Sequence, residues 1–165
     1  MWVCRAGKNS VYIDLFIETN KIYIPWEGID SDLSGLNGLP EYRDFVCKKM
    51  NTDNRTSISN WAGQLKTFCD DMQIGDYVLI PHYCSRSYTL SKITGNYQYN
   101  SSHEKGLVHS RDITILCENI PNDIFSQKIR YSLGAFRTIF RVSDEKAVLN
   151  AIDDWKNKNK DNTAM

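Results

Sequence analysis

Apolar positions recur at two different periods along this chain, and the changes of period mark out its elements. "MWVCR" is a short apolar opening strand, broken at Ala6-Gly7. "SVYIDLFIET" carries Val11, Leu15 and Phe16 at helical spacing, with Ser10 placed to cap it. "KIYIPW" alternates and is β-branched, so it predicts a strand ending near Pro25. The turn-rich "EGIDSDLSGLNGLP" that follows is longer than a simple connection needs. A short helix is expected from Glu41 to Lys49, then a second, "ISNWAGQLKTFCDDM", capped by Thr56 or Ser57. In the second, Ile58, Trp61, Ala62, Leu65, Phe68, Cys69 and Met72 follow the spacing of a buried helix face.

The later half alternates at the strand period. "IGDYVLIPH" is a turn and a strand, and "SYTLSKITGNYQYN" is one long strand or two bent at Gly95. After the hairpin-type loop "SSHEKG", "LVHSRDITILCENI" is another long strand. Pro121-Asn122-Asp123 opens a third helix running to about Leu133, and "FRTIFRV" is a last strand. "SDEKAVLNAIDDW" is a closing helix with Ser143 as its cap and Glu145 in its first turn. The pattern predicts a folded body over residues 1–142, a C-terminal helix over 143–157 and a polar linker or tail over 158–165. A linker there predicts an N-terminal module of a longer protein. The fold class expected is α+β: five to six short, mostly antiparallel strands curled into a small open barrel with peripheral helices.

Composition narrows the classes. Of 165 residues, 41% are hydrophobic, enough for one real core. No apolar run is long enough for a transmembrane helix, and "MWVCRAG" is not a secretory signal, so no membrane partner is expected. Five widely spaced cysteines without a C-x-x-C pair predict free thiols in the cytoplasm, not disulfides or a metal site. The formal net charge is zero. Any grip on nucleic acid must therefore be local, because a domain that holds duplex DNA mainly through phosphates is usually strongly basic.

Enzyme signals are thin. The chain has no phosphate-loop motif, no G-x-S-x-G and no H-E-x-x-H. Asp70, Asp71 and Asp76 fall at a helix end and in a turn, and His82 and Cys84 share a strand face without a third group to orient them. No catalytic residue, metal or cofactor is expected. Any nuclease or motor activity is expected on a partner or another domain.

The densest chemistry lies in "TGNYQY" and, ten residues on, "HSR". Alternation puts Tyr97 and Tyr99 on one strand face with Gln98 on the other, and His109 and Arg111 on one face of the next strand. If those strands pair, the faces coincide. With Trp26, Asn60 and Trp61 they suit a flat, hydrogen-bonding ligand: rings stack on a base and polar groups read its edge. The same residues fit a structural reading. Trp61 lies on an apolar helix stripe, the tyrosines cover a barrel end, His109 is satisfied internally and Arg111 pairs with a carboxylate.

The segments "MWVCRAG", "IPWEGIDSDLSGL", "NWAGQLKTF", "IGDYVLIP", "ITGNYQYN", "HSRDITIL" and "LGAFRTIFRV" occur in order. Together they resemble the N-terminal domain of Mrr-like restriction proteins and related prokaryotic defence proteins, a domain similar to the PUA and EVE class of small barrels. The resemblance spans residues 1–142 and implies a sensor domain. Domains of the PUA, EVE and SRA kind recognise nucleic acid, often by taking a modified base such as 5-methylcytosine into an aromatic pocket, and serve a joined nuclease or motor. It implies a site of Trp26, Asp32, Ser34, Asn60, Trp61, Gln64, Tyr97, Tyr99, His109 and Arg111; beside that base pocket, Arg5, Arg86 and Arg111 are expected to meet the phosphates. Asp112 stands where the resemblance leads one to expect a proline. The expected function is a DNA-binding sensor of a restriction or antiviral defence system, partnered by an effector nuclease or motor. The alternatives are a nucleotide- or signal-binding domain that gates an effector, and a protein-docking domain.

Overall fold

The opening strand is buried on both faces because its sheet is covered on both sides. β1 (Trp2–Cys4) sends Trp2 and Cys4 into one hydrophobic core and Val3 into another, as strand alternation requires. In the computed structural model, which describes residues 1–104 and 106–164, the strand order is β2 (Lys21–Tyr23), β6 (His109–Pro121), β4 (Ser87–Ile93), β3 (Tyr77–His82), β1 and β7 (Ile139–Arg141). A two-residue strand, β5 (Gln98–Tyr99), pairs with β6 off this path. The expected α+β fold forms, as a curled, mostly antiparallel half-barrel.

One pair departs from the expected hairpins: β1 and β3 run parallel. Parallel neighbours need a long crossover. Here it contains α1 (Ile13–Thr19), β2, α2 (Gly38–Met50) and α3 (Arg55–Lys66). On this face Tyr42, Val46, Ile58, Ala62, Leu65 and Phe68 pack against Val78, Ile80 and Ile93. On the other, Leu133 of α4 (Gln127–Leu133) and Val148 and Ile152 of α5 (Glu145–Thr163) pack against Val3, Leu79 and Leu90.

Gly95 turns β4 into β5, as its place in "ITGNYQYN" predicts. The N–H groups of Thr94 and Gly95 both reach the Asp112 carbonyl, at 2.9 and 3.3 Å. A Cβ on Gly95 would come within 3.0 Å of the Asp112 Cβ, so a side chain there would force the strands apart. Asp112 itself ion-pairs with Lys21 and accepts from Gln98, which bridges β2, β6 and β5 on the exposed face.

Several helix boundaries differ from the sequence expectation, each for a local reason. Ser10 does not cap α1. Its backbone is left-handed (φ 58°), and its hydroxyl donates to the Pro81 carbonyl and accepts from the Tyr83 N–H. The cap of α3 is Asn54, whose side chain takes the Ser57 N–H, so Thr56 and Ser57 are first-turn residues. α4 starts later than Pro121, after a 3-10 turn at Asn122–Ile124, and is capped by Ser126. α5 is capped by Asp144, not Ser143. The stretch expected as a polar linker or tail is helical as far as Thr163, because α5 continues through it. With no Gly or Pro to stop it, a helix anchored by Trp155 propagates into polar sequence.

Among the described residues no helix is long and apolar enough to cross a membrane. All five cysteines are free. Burial pushes the Cys4 and Cys69 thiols up to about 12, so both are protonated core groups at neutral pH.

Candidate functional site

The tyrosine, histidine and arginine faces do coincide, and what they hold is the protein's own chain. β5 pairs with β6 so that Tyr99 sits opposite His109. Tyr97 stacks on the His109 ring at 5.7 Å, and Tyr99 lies against it at 5.9 Å. His109 is fully buried, and its Nε2–H donates to the Ile29 carbonyl. That bond fixes the tautomer, so Nδ1 accepts from the Tyr97 hydroxyl at 2.6 Å. The same hydroxyl accepts the Leu33 N–H, and the Tyr99 hydroxyl donates to the Asp30 carbonyl. These three rings clamp the long loop after β2, which anchors Ile29 and Leu33 in the core. Their polar atoms are engaged within the fold.

Arg111 is also withdrawn from the phosphate-facing set. It is 2% exposed, with Nε on the Gly95 carbonyl and Nη1 on the carbonyls of Phe68 and Met72. It pairs with backbone, not with a carboxylate. Trp61 packs on the core between sheet and helices. Asp32 and Ser34 form an exposed turn, in which the Ser34 N–H and hydroxyl hold the Asp32 carboxyl below its usual range. Gln64 is buried: its Oε1 accepts the Ile139 N–H and its Nε2 donates to Asn60 Oδ1, tying β7 to α3.

The clamp carries a pH prediction. Burial holds the His109 imidazole below its ordinary value of 6.5, against the smaller opposing pull of its Ile29 hydrogen bond and of Asp30 and Asp32. The unfolded chain therefore takes up this proton first, at the ordinary value. Stability is complete above about pH 6.5 and is lost as pH falls through the lower folded-state value. His82 is shifted the same way, mainly by burial, so the test uses His82→Asn. Urea melts of that variant between about pH 7 and about pH 5 should show falling stability, and a flat profile contradicts the clamp.

The remaining predicted residues lead to a different place. Trp26, Arg5 and Arg86 line one cavity of about 820 Å3, within the range of ligand pockets. Its walls come from separate segments: Arg5 after β1, the turn at Lys8–Ser10, Trp26 after β2, the β3–β4 hairpin, Arg130 of α4, and the loop Phe136–Thr138 before β7. Among the described residues five cations line it (Arg5, Lys8, Arg86, Arg130 and Arg137), and no Asp or Glu does. In a chain whose formal charge is zero, that is a local excess with no counter-charge on the cavity wall. Aromatic faces lie among the cations: Trp26, Tyr83, Tyr88 and Phe136, of which Tyr83 and Phe136 are exposed. The Trp26 ring is fixed by its Nε1–H on Thr138 Oγ1 at 3.1 Å. The Arg5 Nε–H is buried and meets no acceptor among the described residues.

The backbone around this cavity is strained. Gly7 (φ 78°, ψ 179°) occupies a region open essentially to glycine. Of the six non-glycine residues with positive φ among the described residues, three line this cavity: Asn9, Ser10 and Arg86. Strained residues of this kind cluster at ligand clamps and switches.

A second cavity, of about 930 Å3, adjoins the first. Asn60 and Gln64 line it with Arg55, Arg137 and Arg141, again without a carboxylate among the described residues, and Phe136 and Arg137 belong to both walls. The twelve residues singled out from the sequence are thus divided among two neighbouring cavities, the clamp, the loop turn and the core. Sequence reasoning passed over Lys8, Tyr83, Arg130, Phe136 and Arg137. The signal for the hairpin was the mixture of aromatics and arginine in "HYCSRSY" between two strands. Among the described residues no three His, Cys, Asp or Glu side chains are grouped to hold a metal ion.

A family model described as Domain of unknown function (DUF8426) matches residues 2–143, a span that holds every strand and ends just before α5. No curated protein and no solved structure matches the chain.

Proposed function

We propose that this chain, which belongs to the DUF8426 family, is a nucleic-acid-binding sensor module of a prokaryotic restriction or defence system. It takes a modified or extruded base into the Trp26 cavity and does no chemistry itself. A nuclease or motor, in cis or in trans, acts on the signal. One observation carries this reading: a cavity with five cations, four aromatic rings and no carboxylate. Crowded cations repel one another, and phosphates relieve that repulsion. Rings among them offer flat faces on which a base stacks, worth about 1–3 kcal/mol per base. Neither a neutral metabolite nor an acidic protein surface uses both features. The neutral total charge is compatible with this site, because the grip is confined to one face.

The test is fluorescence anisotropy of the chain against matched oligonucleotides: unmodified, 5-methylcytosine, 5-hydroxymethylcytosine and N6-methyladenine, with free nucleotides as competitors. The reading expects a modified strand to bind several-fold better than its match, with affinity falling as salt rises. Binding of free nucleotides that DNA does not displace would replace the sensor with a nucleotide-gated domain.

A further inference from the structure

The first cavity accounts for one base and its flanking phosphates, but its wall also bounds a second basic cavity. Phe136 stands between the two in the loop from α4 to β7, and it is fully exposed. A phenyl ring with no packing partner gains nothing from the fold, and a surface Phe that lines two cavities at once is placed to meet something apolar. The second cavity supplies Arg55, Arg137 and Arg141 with Ser57, Ser59 and Asn60, and no carboxylate. Arg141 is steadied over the Trp2 ring at 5.0 Å. Arg55 opens α3, where the helix dipole adds to the positive field.

Resting on the sensor reading above, we infer that the substrate is duplex and that the two cavities share it across Phe136. The Trp26 cavity receives the extruded base. Phe136 inserts as an apolar wedge into the gap left in the stack. The Arg55–Arg141 cavity holds phosphates of the portion that stays paired. Apolar wedges of this kind unstack base steps in other architectures, and the wedge replaces part of the stacking that extrusion removes. A single strand needs only the first cavity, since it has no pairing to open.

The experiment compares wild type, Phe136→Ala and Arg55→Glu, each against a duplex with one 2-aminopurine and against the same strand alone. Phe136 has no packing to lose, and a glutamate suits the first turn of α3, so both variants keep the fold. The inference expects Phe136→Ala to bind the duplex about fivefold or more weakly, with loss of the 2-aminopurine fluorescence rise. Arg55→Glu should bind the duplex about fivefold to tenfold more weakly. Arg55→Glu, which lies outside the Trp26 cavity, should keep single-strand affinity within about twofold of wild type, and Phe136→Ala should lose clearly less on the single strand than on the duplex. Phe136→Leu should recover most of the duplex signal. Variants that match wild type on the duplex, or lose single-strand and duplex binding equally, overturn the two-cavity arrangement alone. Wild type that binds neither form overturns the sensor reading, and this inference with it.

Discussion

Replacing Arg111 by alanine should remove about 3–4 kcal/mol of folding stability, because its guanidinium caps an otherwise buried set of carbonyls. Phe68 and Met72 lie at the end of the second long helix, where α3 runs into a π-helical turn over Thr67–Asp71. Carbonyls at a helix C-terminus lack intrahelical partners and form the negative end of the helix dipole. Arg111 reaches both with Nη1, and with Nε the carbonyl of Gly95 where β4 bends into β5. A single cation thus joins the end of a helix to the bend of a sheet. Burial lowers its pKa from the usual arginine value, yet an arginine stays charged, and the helix dipole offsets the desolvation. Alanine would leave two buried acceptors and one part-buried acceptor short of a donor. In thermal unfolding this reads as a Tm lower by about 10 °C for a chain of this size. Arg111→Lys should recover only part, since one ammonium cannot span the three acceptors. A variant of wild-type stability that had lost nucleic acid binding would return Arg111 to the phosphates.

Trp26→Ala should have the largest effect on binding among single substitutions. Its ring is half-buried in the cavity wall, packed against the edge of the core and held by its Nε1–H on Thr138, so its removal takes away a stacking face at a modest cost in packing. A lost base stack of about 1–3 kcal/mol weakens binding roughly five- to 150-fold. The loss should be nearly independent of salt. Arg86→Gly makes the contrast. Arg86 is exposed with φ 48°, so glycine relieves backbone strain while deleting a charge. That variant should fold at least as stably as wild type, and the slope of log affinity against log salt should shrink by about one. Equal affinity of wild type and Trp26→Ala would remove the aromatic half of the site.

How much was legible depends on where each partner lies. The alternation of β1 and β3 and the apolar stripe of α3 are local periodicities, and the elements follow them. The caps were less legible, because Asn54, Thr56 and Ser57 lie within four residues and all are able to serve, and only geometry selects Asn54. The faces of Tyr97 and His109 were readable from alternation and a hairpin. Their task was not: they hold Leu33 and Ile29 by backbone atoms 64 and 80 residues away, and backbone leaves no mark in sequence. The parallel pairing of β1 with β3 was hidden for a similar reason, since a helical crossover and two separate hairpins share the same local pattern. The basic cavity gathers six separated segments, and a net charge of zero concealed it. Trp26, Arg5 and Arg86 came to one place from three different segments. Phe136 carried no local signal, because an apolar residue before a strand reads as part of that strand.

The central claim is that the carboxylate-free cavity around Trp26 is where nucleic acid sits. The most direct measurement is an amide and arginine side-chain NMR titration of the chain with a short modified oligonucleotide. The account predicts shifts confined to Arg5, Asn9, Trp26, Tyr83, Arg86 and the Phe136–Thr138 loop, with the buried Arg111 and His109 unmoved. Shifts centred on Asp32, Ser34 and the outer face of α2, or no shifts at saturating oligonucleotide, would contradict it.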